Sequence, residues 1–386
     1  MSKPLISVFT PYYNDEKFLR TSIESVLNNN YQNFELILLN HATKDSCREI
    51  AHSYNDNRIK HIDMFENLGG GSGLLFQKML DISSGKYIKV VCADDVLKKD
   101  GLEILVNYME NHPEKDFAFG NVEYINEKGE ELLDNWFNAR EFFSLNNNEA
   151  DCLKLYSKGI SFLPWAGAII TKQILSKIKI NKTYMMMFDM SIWCEIMCNN
   201  GKIGYINKIV SNYRIHKSQI SAIENKLKAY HFAYIEHKTF WKIFQTIKDL
   251  KLAKEIWPDS RFKDKLKNVE DIPFYVAHNF MIENLSFGNS AADIDAMLND
   301  DKMREHLEKV FGYGIKEYRE DILELMQKTS KLKGFKKFKQ KIYSKQSKNL
   351  GLRDMAFLFI HRLYDILTFK PIRKKISDKK HKRYSL

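Results

Sequence analysis

Three groups of polar residues follow apolar, strand-like segments within the first hundred residues. The group TPYYND (10–15) comes after the first segment, NHATKD (40–45) after the second, and ADD (93–95) after a later one. In an open α/β sheet, ligands bind outside the carboxyl ends of the strands. We therefore expect these three groups to meet in one crevice.

Asp94 and Asp95 carry the most informative chemistry of these groups. Two adjacent carboxylates at a sharp turn repel each other, and a hard divalent cation with oxygen ligands relieves that repulsion. Mg²⁺ or Mn²⁺ bridging a diphosphate is the natural occupant of such a turn. The alternative is that one of the two aspartates caps the following helix, and residue types and spacing alone do not decide between the two.

Hydrophobic periodicity predicts the elements that must position these residues. Strands are expected at 5–9, 34–39, 59–62, 87–92 and 117–124, and helices at about 45–54, 70–82 and 100–111. This alternation is typical of βαβ units and a largely parallel sheet. Asn14 or Asp15 is expected to cap the first helix. Further on, 188–198 is predicted to be a helix and 203–213 a strand.

Three parts are predicted along the chain. Residues 1–222 form the α/β part, 223–330 a helical domain, and 331–386 a basic amphipathic helical tail. No apolar run is long enough to cross a membrane, and the first residues lack an extended apolar signal region. A cytoplasmic protein is therefore expected. The five cysteines are scattered and odd in number, which favours buried reduced thiols over a disulfide framework.

Four blocks of the sequence, in order and with family-like spacing, carry a resemblance to a known family. They are ISVFTPYYNDEKFLRTSIESVLNNNYQNFELILL, SSGKYIKVVCADDVL, FDMSIWCEI and GKIGYINKIVSNYRIHKSQIS. Together they resemble family 2 glycosyltransferases of the bacterial surface-polysaccharide kind, which build capsule or lipopolysaccharide. The resemblance implies a GT-A, Rossmann-like α/β fold, with a mostly parallel sheet flanked by helices and a mainly α-helical C-terminal domain.

The same resemblance implies roles for the residues at matching positions. The implied nucleotide-sugar-binding residues are Pro11, Tyr13, Asn40, Asp45, Asp94 and Arg214. The implied ligands of a Mn²⁺ or Mg²⁺ ion are Asp94, Asp95 and His216. Asp189, just before an aliphatic-Trp pair, is the implied general base, and Trp165 and Gly167 match positions on the acceptor side. Taken alone, Asp189 could instead cap a helix and His216 could be a hydrogen-bonded core residue.

The sequence departs from the family pattern at three places, one of which is Leu74 or Leu75 where the family often has an arginine. Cys92 stands where the D-x-D signature has its first aspartate. Asn40, His41, Ala42 and Thr43 replace the usual Asp-Asp-Gly-Ser, and only Asp45 of that acidic set persists. An amide both donates and accepts, so Asn40 could still pair with a pyrimidine edge.

The expected activity is transfer of a sugar from a nucleotide-diphosphate sugar, expected to be UDP-linked, to a hydroxyl of a glycan or lipid-linked glycan. The resemblance implies a metal-dependent, inverting reaction with Asp189 as general base. One alternative is a degenerate, non-catalytic GT-A protein that acts as a binding partner in a polysaccharide synthase complex. A nucleotidyl or phosphoryl transferase is a second alternative, but 69–73 does not form a phosphate-binding loop motif.

Positive charge is concentrated at the C-terminal end. The whole chain has a net charge of +11, whereas 327–386 holds 19 Lys and Arg against three Asp, a net charge of +16. An apolar segment, 350–369, lies between basic segments, which suits an interfacial helix on the anionic inner face of a membrane. Peripheral attachment there is expected, and packing on the body or on a second subunit of a homo-oligomer is the alternative. Nucleic-acid binding is not expected, because no supporting module is present.

Overall fold

The computed structural model describes residues 3–67, 73–132, 148–157, 163, 165–180, 188–219, 240–283 and 287–330. The chain divides into two compact units, Met1–Ile256 and Trp257–Leu386. The predicted boundary at 222 and the predicted tail at 331–386 lie outside the described residues. The division into three parts therefore stays a prediction.

The first unit contains one eight-stranded sheet with helices around it. The strands are β1 (Ile6–Tyr12), β2 (Phe34–Asn40), β3 (Ile59–Asp63), β4 (Tyr87–Val90), β5 (Val96–Leu97), β6 (Phe117–Ile125), β7 (Ala168–Thr171) and β8 (Ile203–Arg214). The helices are α1 (Leu19–Leu27), α2 (Cys47–His52), α3 (Gly73–Ile82), α4 (Gly101–Asn111), α5 (Glu149–Ser157), α6 (Lys172–Leu175), α7 (Phe188–Cys198) and α8 (Leu250–Ile256). A 3₁₀ turn, Trp165–Gly167, immediately precedes β7.

The strands are ordered β3-β2-β1-β4-β7-β6-β8-β5 across the sheet. Four neighbouring pairs, from β3 to β4 and between β6 and β8, are parallel. β7 runs antiparallel to both β4 and β6, and β5 runs antiparallel to β8. The expected GT-A architecture is confirmed: a sheet of parallel βαβ units extended by antiparallel strands, flanked by helices and followed by a helical region.

Local sequence explains the central elements. All seven residues of β2 are buried, as expected for a parallel strand covered on both faces. In α1, Leu19, Ile23 and Val26 are fully buried along one face of the helix. The predicted side-chain cap of this helix is wrong: Phe18 occupies the N-cap and makes no capping hydrogen bond through its side chain.

The second unit is helical in its described part. It contains α9 (Ile272–Ile282), α10 (Phe287–Asn299), α11 (Asp301–Phe311) and α12 (Ile315–Ser330), after a 3₁₀ turn at Val269–Asp271. The buried carboxylate of Asp321 accepts hydrogen bonds from Arg261 at 2.6 Å and Tyr313 at 3.0 Å, and lies 3.1 Å from Nε2 of His278. Within the described ranges, no helix combines the length and apolar character needed to span a bilayer. All five cysteines are free, as predicted.

Candidate active site

The loops that follow β1 and β2 are joined into one rim. Tyr12 pairs with Asn40 at the ends of the two strands. Asn14 donates its backbone N–H to Oγ1 of Thr43 at 2.9 Å, and its Oδ1 accepts from the backbone N–H of Lys44 at 2.9 Å. Asn14 and Ala42 both have positive φ, 57° and 55°, which turns each loop sharply after its strand. The first two polar groups of the sequence therefore meet, as expected.

Asp45 stabilises the loops that follow β1 and β2. Asp45 accepts hydrogen bonds from Oγ1 of Thr43 at 2.6 Å and from the backbone N–H groups of Glu16 and Cys47 at 3.0 and 3.1 Å. Burial would raise the pKa of Asp45, but these hydrogen bonds outweigh it and hold the pKa below its usual value. A nucleotide contact by Asp45 stays a prediction.

The side-chain amide of Asn40 is buried, and both its nitrogen and its oxygen make hydrogen bonds. Its Nδ2 donates to Oδ1 of Asp63 at 2.9 Å, and its Oδ1 accepts from the backbone N–H of Thr43 at 2.9 Å. Nearby, the half-buried ring of Tyr13 meets His41 edge-on, with ring centroids 6.0 Å apart. Pro11 lies inside β1 opposite Leu39 of β2. The three predicted nucleobase contacts thus lie at neighbouring strand ends, and their role remains a prediction.

The acidic turn at 92–95 is held from two sides. The carbonyl of Cys92 accepts a hydrogen bond from Oγ of Ser22 in α1, at 3.0 Å. Arg214, at the end of β8, donates its backbone N–H to Oδ1 of Asp95 at 3.0 Å and its Nε to the carbonyl of Asp94 at 2.8 Å. The helix-cap alternative for the pair is excluded, because the next helix, α4, has Asp100 at its N-cap.

The side chains of this turn can approach a single cation. Cys92, Asp94 and Asp95 each offer a ligand atom, and these atoms all lie within 4.8 Å of one another. Nε2 of His216 lies 3.0 Å from Oδ2 of Asp94, and Nδ1 of His216 lies 2.8 Å from Oγ of Ser218. Burial raises the pKa of Asp95 well above its usual value, and the charge of Asp94 raises it further.

This donor set fits a hard divalent cation. Two carboxylates are ligands that both Mn²⁺ and Mg²⁺ accept, and an imidazole nitrogen suits Mn²⁺ better than Mg²⁺. A bound cation would favour the ionised form of Asp95. Cys92 is a poorer ligand, because burial and the charges of Asp95 and Asp94 raise the pKa of its thiol well above the usual range. A thiol must lose its proton to bind a metal. The predicted set of Asp94, Asp95 and His216 is therefore chemically suitable.

Asp189 lies in the first turn of α7, as the sequence predicted for a residue at a helix start. Its Oδ1 accepts a hydrogen bond from the backbone N–H of Met190 at 2.8 Å. Burial raises the pKa of Asp189 to about 6. Phe188, the residue before Asp189, packs against the rings of Phe76 and Trp165, with centroids 5.3 and 6.0 Å away. The start of α7 thus packs on α3, and a shared pocket of Asp189 with the acidic turn stays a prediction.

The side chain of Arg214 makes several contacts that stabilise the site. Besides its bond to Asp94, its Nη1 donates to the carbonyls of Asn126 and Glu127 at 2.9 and 3.2 Å. Its guanidinium also lies 4.8 Å from the ring centroid of Phe18. These contacts fix the acidic turn to the loop after β6, and a contact of Arg214 with a diphosphate stays a prediction.

Trp165 and Gly167 form the 3₁₀ turn beside β4. The Trp165 ring packs against Phe76 and Trp193, with centroids 5.4 and 4.8 Å away. A Cβ at Gly167 would lie 2.5 Å from the carbonyl oxygen of Gly120, so the close approach of β6 requires glycine there. Their predicted place on the acceptor side stays a prediction.

Sequence reasoning gave Lys89 no role, and it treated Asp15 only as one of the polar residues after the first strand and as a possible helix cap. Lys89 lies inside the predicted strand 87–92, and its side chain is fully buried. Burial raises the pKa of Asp15 to about 6, and the charge of Asp94 also raises it. Both had a signal in the sequence: a lysine inside an apolar strand, and an aspartate directly after β1.

Comparison with known proteins defines the class of this chain. Residues 7–179 match the family described as Glycosyl transferase family 2. An uncharacterized glycosyltransferase of Methanocaldococcus jannaschii, MJ1057, is 31% identical over 63% of this chain and 81% of its own length. The chain therefore belongs to glycosyltransferase family 2, and it is a glycosyltransferase.

Two further relatives indicate the kind of polymer involved. The putative teichuronic acid biosynthesis glycosyltransferase TuaG of Bacillus subtilis is 26% identical, over 66% of this chain and 93% of its own length. The Escherichia coli UDP-Glc:alpha-D-GlcNAc-diphosphoundecaprenol beta-1,3-glucosyltransferase WfgD is 28% identical, over 59% and 83%. The similarity to these two relatives supports a glycosyltransferase of the bacterial surface-polysaccharide kind.

Proposed function

We propose that this glycosyltransferase moves a sugar from a UDP-linked donor to a hydroxyl of a glycan or lipid-linked glycan, with inversion at the anomeric carbon. The observation that supports the proposal is the packing of Phe188, next to Asp189, against the ring of Trp165. The backbone carbonyl of Trp165 accepts a hydrogen bond from Lys89, in the strand that leads to the acidic turn at 92–95. One group of acids would bind the diphosphate through a cation, and the other acid would act on the acceptor.

Asp189 is the proposed general base. It would accept the proton of the acceptor hydroxyl while that oxygen attacks the anomeric carbon and the diphosphate departs. A base is most effective when its pKa lies near the working pH, and burial raises the pKa of Asp189 to about 6. Such a group contributes roughly 10²–10⁴-fold to a rate.

Asp94, Asp95 and His216 are the proposed ligands of Mn²⁺ or Mg²⁺. When bound, the cation would neutralise negative charge that develops on the leaving diphosphate. Arg214 keeps Asp94 and Asp95 in place by donating to the carbonyl of one and the carboxylate of the other. Hydrogen bonds from Arg214 therefore fix the positions of two of the proposed ligands.

The donor and acceptor classes rest on the relatives and on the sequence. The name of WfgD specifies a UDP-sugar donor and a diphosphoundecaprenol-linked acceptor. A lipid-linked acceptor at a membrane surface also agrees with the net charge of +16 carried by 327–386.

Hydrolysis of nucleotide sugars tests the proposal, since slow donor hydrolysis needs no acceptor. The intact protein should hydrolyse at least one UDP-sugar with Mn²⁺ present and lose this activity with EDTA. Asp189→Asn should lower the rate at least 100-fold while the Kd for UDP and Mn²⁺ changes less than threefold. Asp301→Asn is the matched control, because Asp301 also lies in the first turn of a helix and should be replaceable without effect.

Two results would count against the proposal. Unchanged turnover in Asp189→Asn removes Asp189 from the mechanism. No metal-dependent binding of any nucleotide by the intact protein, measured by titration calorimetry, favours the non-catalytic alternative.

A further inference from the structure

Lys89 is a buried cation in the strand that leads to the acidic turn. It lies in β4, and its side chain is fully buried. A lysine ammonium is costly to remove from water unless protein groups replace its hydration. Its Nζ donates to the backbone carbonyls of Trp165 at 3.2 Å and Ala166 at 2.5 Å. Lys89 therefore ties the 3₁₀ turn to β4.

The antiparallel pairing of β4 and β7 places this tie close to the acidic turn. Tyr87 pairs with Thr171 and Ile88 with Ile170, so the start of β7 lies beside the end of β4. The 3₁₀ turn precedes β7, and the acidic turn follows β4. Burial lowers the pKa of Lys89 to about 7, while the charges of Asp95 and Cys92 raise it. Nζ of Lys89 thus contacts the 3₁₀ turn, and its strand leads to the acidic turn.

The ring of Trp165 extends this connection to the helix that carries Asp189. Its centroid lies 6.0 Å from that of Phe188, the residue before Asp189, and 4.8 Å from that of Trp193, one turn further along α7. Trp193 in turn stacks on Phe117 of β6, with the two rings 5.4 Å apart. The start of α7 therefore packs on the ring of Trp165. Lys89 holds the backbone of the same residue by donating to its carbonyl.

We propose that Lys89 is a positioning residue that fixes the Trp165–Gly167 turn and, through the Trp165 ring, sets the distance between Asp189 and the acidic turn. The inference rests on the proposed function, in which both groups act on the same substrate. A displacement of about 1 Å at such a distance lowers a reaction rate by ~10²-fold. Replacement of Lys89 should accordingly affect kcat much more than nucleotide binding.

Lys172 provides a matched control for a purely structural role. Its ammonium also donates to a backbone carbonyl, that of Ser83. Lys172 directly follows β7 and bonds through its backbone N–H to Lys86, at the opposite end of the β4–β7 pair. A loss of general stability should follow either replacement, whereas a loss of catalytic geometry should follow only that of Lys89.

The experiment compares Lys89→Met and Lys172→Met in the full-length protein. Hydrolysis of the UDP-sugar that the wild type turns over should show kcat lowered 10- to 100-fold in Lys89→Met, with the Kd for UDP and Mn²⁺ changed less than threefold. Lys172→Met should keep the wild-type kcat. Fluorine NMR of protein labelled with 5-fluorotryptophan, with the Trp165 signal assigned by Trp165→Phe, should show that signal displaced in Lys89→Met only.

The outcomes separate this inference from the proposed function. An unchanged Trp165 fluorine signal in Lys89→Met overturns the inference even if the wild type hydrolyses no donor, which would be the failure of the proposed function. An active wild type with an equally active Lys89→Met also overturns it. If Lys89→Met does not fold, Trp165→Phe takes its place: it keeps the backbone carbonyls but trims the ring, and an undiminished kcat for donor hydrolysis contradicts the inference.

Discussion

Asp189 combines two opposing influences at a single residue. A carboxylate in the first turn of a helix is stabilised by the helix dipole, and Asp189 also accepts a hydrogen bond from Met190. Burial nevertheless raises its pKa to about 6. The protein therefore holds a carboxylate in surroundings that favour its protonated form, which is a feature of functional sites more often than of helix caps.

The first prediction concerns the effect of pH on the stability of Asp189→Asn. The pKa of Asp189 is higher in the folded chain than the usual aspartate value, so the folded state binds the proton more tightly. The ionised carboxylate accordingly destabilises the folded wild type as pH rises from about 4 through 6. The amide cannot ionise, so the variant should gain about 1 kcal/mol relative to the wild type between pH 5 and pH 8, after allowance for partial solvent screening.

Urea denaturation in EDTA at the two pH values measures this difference. Asp301→Asn should show the same stability relative to the wild type at both pH values, because the Asp301 side chain is 80% exposed. A constant loss of stability in Asp189→Asn at pH 5 and pH 8 would instead identify Asp189 as a simple helix-start residue.

At the scale of elements, hydrophobic pattern predicted what local sequence controls. The predicted helix at 188–198 coincides with α7, and the predicted strand at 203–213 lies within β8. Long segments with a regular pattern of apolar residues are the ones whose secondary structure the sequence predicts best. The antiparallel insertion of β7 between β4 and β6 could not be read from the sequence. Strand pairing depends on contacts between distant segments of the chain. The four residues of β7 do not indicate which strands they will pair with.

The same distinction applies to the site. Their adjacency in the sequence indicated Asp94 and Asp95 as candidate cation ligands. The first two polar groups do meet at the strand ends, as predicted. The bonds made by Arg214 and Asn40 depend on carbonyl and carboxylate groups far away in the chain. The role of Lys89 could not be predicted, because a strand pattern does not show which residue will donate to two carbonyls of a distant turn.

Arg214 provides the prediction at this scale, since it joins β8, the acidic turn and the loop after β6. Arg214→Gln would leave the carbonyls of Asn126 and Glu127 without this donor, and each lost bond to a buried group costs roughly 1–3 kcal/mol. We expect about 2–4 kcal/mol lower stability. Because the carbonyl of Asp94 also loses its donor, the affinity for UDP and Mn²⁺ should fall roughly 10–100-fold.

Chemical denaturation and titration calorimetry measure the two effects separately. Arg58→Gln is the control, because Arg58 pairs with Asp56 and lies over the ring of Phe34. It should lose stability without loss of metal-dependent binding. Normal binding by Arg214→Gln would show that the arginine supports the fold alone.

At the scale of the whole molecule, every candidate site residue placed here belongs to the first compact unit. These residues run from Pro11 to His216, whereas the second unit begins at Trp257. The described part of that unit has its own buried network around Asp321. The proposed donor chemistry therefore involves residues of the first unit.

The basic segment 327–386 supplies the final prediction. With a net charge of +16 and an apolar segment at 350–369, the intact protein should sediment with vesicles containing phosphatidylglycerol. Lys and Arg near an anionic surface contribute about 1 kcal/mol each, and salt screens that attraction. Sedimentation should therefore decrease sharply at about 0.5 M NaCl, where the Debye length is only ~4 Å, and should be weak with neutral phosphatidylcholine vesicles.

A charge variant of the full chain separates membrane attachment from self-association. Changing the Lys and Arg residues of 370–383 to Gln keeps the apolar segment, so it removes electrostatic attraction and leaves apolar packing available. If the segment binds membranes, this variant should lose vesicle binding and keep the wild-type molecular mass in light scattering. If the segment packs on a second copy, the intact protein should be a dimer that ignores anionic vesicles, and the membrane prediction is then wrong.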